Sequence, residues 1–82
     1  LVHEYGHQVL NWLRTTKHRK AVDQWLADAY SQNPLALSIN GSNNEREFWA
    51  EAFVALHSLP RSSWSAPTKT LADLLERLLR DE

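Results

Sequence analysis

The 82-residue sequence contains no cysteine, which excludes a disulfide framework and every thiolate metal site. Imidazole and carboxylate are left as the strong metal ligands on offer. Long apolar runs are also missing. No stretch approaches the roughly 18 residues needed to cross a bilayer, and no charged-then-apolar segment opens the chain, so the sequence predicts a soluble protein with no membrane partner. Neither sign of charge dominates: nine Lys and Arg against ten Asp and Glu give a formal net charge of -1, which argues against a nucleic-acid partner. The one basic cluster, Lys17, His18, Arg19 and Lys20, reads as a solvated connection between helices. Sustained period-two alternation, internal repeats and low-complexity segments are absent, and no Ser or Cys nucleophile with a neighbouring base is recognisable.

What remains is a chain of helical patterns. Residues 1–13 place Leu1, Val2, Tyr5, Val9, Trp12 and Leu13 near the i, i+3, i+4 recurrence of an amphipathic helix. Thr15, Thr16 and Lys17 interrupt it, and a second helix over residues 19–30 carries Val22, Trp25, Leu26 and Ala29, which predicts a short antiparallel helical pair. Residues 31–43 are loop chemistry, bent at Asn33-Pro34 and Asn40-Gly41. A third helix, capped by Asn43 or Asn44, runs to about Ser58 before Pro60 stops it. After a Ser- and Pro-bearing connection, Pro67 opens a fourth helix with Leu71, Leu74, Leu75, Leu78 and Leu79 on one face. The expectation is one all-α domain over residues 1–82 with about four helices. Trp12, Trp25, Trp49 and Trp64 read as core and rim, with one of them available as a substrate-side wall.

The chemistry concentrates in His3-Glu4-Tyr5-Gly6-His7. Four residues of helix advance about 400°, so His3 and His7 project from one side, a turn apart, and can grip a single ion. Glu4 lies beside such an ion without binding it, placed to move a proton from water to a leaving amine. Gly6, costly inside a helix, marks the close approach of another helix.

A catalytic site of this kind needs a third protein ligand and an open position. The run Asn44-Glu45-Arg46-Glu47-Phe48-Trp49-Ala50-Glu51-Ala52-Phe53 puts Glu47 and Glu51 on one helical face. Glu47 is the candidate ligand, and Glu51 the candidate acceptor for the free ring N–H of His3 or His7. A competing account ties the Glu47 carboxylate back to Asn44 as a capping box. His18, in the basic turn, and His57, near a helix C-terminus, are not expected to be ligands.

These two segments, with Leu56-His57-Ser58 downstream, resemble the gluzincin metallopeptidases related to the anthrax lethal factor catalytic domain, a family with similar modules in phage head proteins and polymorphic toxins. The likeness covers most of residues 1–58. It implies zinc bound by His3, His7 and Glu47, Glu4 as catalytic base, and Glu51 behind the ligands. It also implies a protein or peptide substrate, a secreted or virion-associated setting, and an upstream strand region preceding residue 1 that the last helix could contact. The family has a tyrosine supporting the tetrahedral intermediate where this chain has Asn40. An amide can donate to an oxyanion but has no titratable proton to give, so Asn40 stands as an altered oxyanion support. Beside the zinc-peptidase expectation stand a zinc module with weak or no turnover and a metal-free helical interaction domain.

Overall fold

The computed structural model describes residues 1–80, so the last two positions of the expected 1–82 domain lie outside the described residues. The four expected helices form: α1 (Val2–Leu13), α2 (Arg19–Gln32), α3 (Glu45–Ser58) and α4 (Ala66–Arg80). Two 3-10 turns, Asn40–Ser42 and Arg61–Ser63, interrupt the long connections, and no strand occurs among the described residues. None of these helices is long and apolar enough to cross a membrane.

Local chemistry explains the boundaries. The hydroxyls of Thr15 and Thr16 donate to the carbonyls of Trp12 and Leu13, each at 2.7 Å. They thereby satisfy acceptors that the end of α1 leaves open. The Asn44 side chain caps α3 by accepting from the Glu47 backbone N–H at 2.9 Å. At the far end Leu59 turns extended before Pro60, which cannot continue a helix. The last helix starts one residue before Pro67, so the proline sits in its first turn, where the missing N–H costs nothing.

The antiparallel pair expected from α1 and α2 is not the main packing unit. The chief neighbour of α1 is α3, and α2 is a minor one. Gly6 is the reason: a Cβ there would come within 3.1 Å of the Phe53 Cβ, so the bare backbone admits α3 at close range. Across the same contact the Trp49 indole N–H donates to the Gly6 carbonyl at 2.9 Å in the buried interior. Leu10, Leu26, Phe48, Trp49 and Leu71 are fully buried and join all four helices in one core. The Trp25 indole N–H reaches Thr70 Oγ1 at 2.8 Å and so ties α2 to α4.

Two expectations are corrected here. His18 is not part of a solvated turn: Thr16 Oγ1 accepts its backbone N–H at 3.1 Å, and the residue is buried, leaving Lys17, Arg19 and Lys20 exposed around it. Its ring helps line an apolar groove of about 360 Å3 between α1, α3 and α4. The leucine stripe of α4 is core at Leu71, Leu74 and Leu78, but Leu79 is exposed. Of the tryptophans, Trp49 is core, Trp25 and Trp64 are half-buried, and Trp12 is exposed at the rim of the groove.

Candidate metal centre

The α1–α3 contact that Gly6 permits brings the first turns of the two helices together, and with them the residues expected to bind metal. His3 Nε2 lies 3.0 Å from Glu47 Oε2, and His7 Nε2 lies 3.3 Å from Glu47 Oε1. The two imidazoles meet edge to face with ring centroids 4.7 Å apart. One donor atom from each of the three residues lies within 4.8 Å of the other two, so the cluster can hold a metal ion.

The donors suit a small cation. Two ligands about 2.0–2.1 Å from a tetrahedral ion stand roughly 3.3–3.4 Å apart. Each imidazole nitrogen lies near that distance from one carboxylate oxygen, His3 at 3.0 Å from Oε2 and His7 at 3.3 Å from Oε1, so a cation would draw both nitrogens toward one of the two oxygens. Accessibility is uneven in a useful way: the His7 side chain is 6% exposed, whereas His3 and Glu47 are 33% and 25% exposed. His7 therefore anchors the cluster on the core side, and the opposite side faces solvent.

The capping-box alternative for Glu47 is half realised. The backbone N–H of Glu47 serves the Asn44 cap, but the carboxylate points to the two histidines instead of returning to the Asn44 amide. Helix capping and cluster formation thus use different atoms of one residue. A carboxylate in the first turn of α3 also meets the positive end of the helix dipole.

Asn40 and Glu51 are both at the site, with partners that differ from those expected. Asn40 Nδ2 donates one of its two N–H groups to Glu47 Oε2 at 3.2 Å, a contact the sequence does not announce. Glu51 Oε1 accepts from the Ser38 hydroxyl at 2.8 Å, while Oε2 is 3.7 Å from His3 Nε2, the nitrogen that faces Glu47. Among the described residues, Glu51 does not take the second ring N–H of either histidine, and the buried Nδ1 of His7 has no hydrogen-bond partner. Ser38 escaped the sequence reading because a lone serine in a Ser- and Asn-rich loop carries no spacing signal. The Tyr30 hydroxyl donates to the Ser42 carbonyl at 2.6 Å, beside the turn that carries Asn40. His57 lies outside the cluster, exposed and tilted at 50° against Phe53 with centroids 4.6 Å apart. Glu4 is exposed on α1 directly after His3.

Desolvation pushes the Glu47 carboxyl pKa up, but hydrogen bonds from Asn40 and His3 and the charges of His7 and His3 outweigh it. The net result lies below the ordinary value of 4.5. A folded-state pKa below the unfolded one contributes stability that is present above the unfolded value and lost as pH falls through the folded value. The melting-temperature gap between metal-free wild type and Glu47→Gln should accordingly shrink as the pH falls below about 4.5. Paired thermal melts across that range measure it, and a gap independent of pH would contradict the assignment.

Comparison of the chain with protein-family models, with curated proteins and with solved structures finds no match.

Proposed function

We propose that this chain carries the site of a zinc-dependent metallopeptidase of gluzincin type, acting on peptide bonds in a protein or peptide. The observation behind this reading is the meeting of a His-Glu-x-x-His turn with Glu47, 44 residues beyond His3, at hydrogen-bond distance. Two imidazoles and one carboxylate are a ligand set that zinc uses in catalytic sites, where a fourth position stays open. The exposed side of the cluster, at His3 and Glu47, is the place for it.

A zinc ion bound there supplies Lewis acidity, polarising a carbonyl and making water more acidic. The rest falls to the chain. His3, His7 and Glu47 fix the centre on two helices packed through Gly6, so the ligands are held by a rigid scaffold. Glu4 removes a proton from the attacking water and delivers it to the leaving nitrogen. The hydroxyl ends on the carbonyl carbon, the C–N bond breaks, and the amine departs with the proton. Glu4 makes no hydrogen bond or ion pair with the described residues, which leaves both its oxygens available for this transfer. The same family resemblance suggests a secreted or virion-associated setting.

A second reading, a zinc module with little turnover, is favoured by one observation: Asn40, the expected oxyanion support, spends one of its two amide N–H groups on Glu47 at 3.2 Å. No other group is thereby assigned to an oxyanion. The test is digestion of an unfolded protein by the zinc-loaded chain, followed by chelation and zinc re-addition. The peptidase reading expects cleavage that stops and then returns. Zinc binding without cleavage would select the second reading.

A further inference from the structure

We propose that Asn40 is a positioning residue for the metal ligand Glu47, held in place by a loop that is itself clamped to α2 and α3. The inference rests on the metal-centre reading and adds a role for a residue outside the ligand set. Asn40 Nδ2 donates to Glu47 Oε2, the oxygen that also faces His3. A carboxylate oxygen has two lone-pair directions, so the amide can occupy one and leave the other for a cation.

The Asn40 oxygen faces Asn43 Nδ2 at 3.5 Å, while its nitrogen faces the Glu47 carboxylate. The loop beneath it has two fastenings. Tyr30 Oη donates to the Ser42 carbonyl at 2.6 Å and ties the 3-10 turn to α2. On the other side the Ser38 hydroxyl donates to Glu51 Oε1 at 2.8 Å and accepts from the Gly41 N–H at 3.0 Å. Gly41 is buried where the loop lies against α3, and a Cβ there would meet Glu51 Cγ at an ordinary contact distance of 3.4 Å. Glu51 thus acts on the centre through the loop. A glutamate has three side-chain torsions to fix before it can bind an ion, and a donor that holds its head in place lowers the ordering cost of binding.

The experiment compares zinc affinity by competition with a chromophoric chelator for wild type, Asn40→Leu and Asn40→Gln, with the visible spectrum of the cobalt(II) form as a second readout. Asn40→Leu keeps similar bulk without the donor and should bind zinc about 10- to 100-fold more weakly, the usual cost of losing a partner to a metal ligand. Its cobalt spectrum should change in shape, and its metal-free melting temperature should fall only slightly, because the lost hydrogen bond to Glu47 is an exposed one. Asn40→Gln restores an amide donor and should recover most of the affinity. Equal zinc affinity and identical cobalt spectra for wild type and Asn40→Leu would overturn the positioning role while leaving the metal centre standing. A wild type that binds no zinc would overturn both.

Discussion

Zinc added to the metal-free protein should raise its melting temperature by roughly 10–20 °C once free zinc reaches about 100 times Kd. A ligand that binds the folded state alone adds about 2.7 kcal/mol at that ratio. For a domain of this size each kcal/mol moves the midpoint by roughly 4–8 °C. Binding to the folded state alone is expected because the candidate ligands lie on both α1 and α3, which separate on unfolding. Magnesium should produce little shift, since it prefers all-oxygen octahedral sites over imidazole. Differential scanning fluorimetry with chelator, zinc and magnesium measures all three arms. A cluster that is only a histidine–glutamate hydrogen-bond network would show no zinc-specific shift.

The second large effect is chemical. Glu4→Gln should lower the rate of peptide hydrolysis about 100- to 10,000-fold, the range that general acid–base groups contribute. It should leave the zinc-induced thermal shift intact. The separation is expected because Glu4 is exposed and outside the cluster, so an amide there disturbs neither packing nor ligation. Rates from a fluorogenic peptide, set beside melts of the same preparations, give both quantities. Loss of the thermal shift in Glu4→Gln would place Glu4 among the ligands, and unchanged hydrolysis would remove it from the chemistry.

Much of the site is legible in the sequence, because its parts are short-range patterns. The four-residue step from His3 to His7 aligns two imidazoles on any helix, and Asn44 before Glu47 marks the start of the helix that carries the third candidate. Both features survive folding: the cap forms, and the carboxylate lies between the two rings. Gly6 was also readable as a helix–helix approach, although the sequence alone does not say that Phe53 is what approaches.

What was not legible depends on contacts between distant residues. Periodicity shows that α1 and α2 each have an apolar face but does not choose between α2 and α3 as the partner of α1. Shape decides that, through the space left by Gly6 and the hydrogen bond from Trp49. His18 was misplaced for a related reason: its charged neighbours suggested a solvated turn, whereas the Thr16 hydroxyl folds the backbone so that the ring is covered. The Glu51 role followed from spacing on α3, but Ser38 competes for that carboxylate from a loop whose path no pattern encodes. The sequence shows what the Asn40 amide could offer a substrate but not that one of its two N–H groups goes to Glu47.

The most direct test of the metal centre is a crystal structure of the zinc-soaked protein with anomalous data at the zinc edge. The account predicts one strong peak within about 2.0–2.2 Å of His3 Nε2, His7 Nε2 and a Glu47 oxygen, with Asn40 still bonded to that carboxylate. A peak elsewhere, or none at saturating zinc with the His3–Glu47 hydrogen bond unchanged, would contradict it.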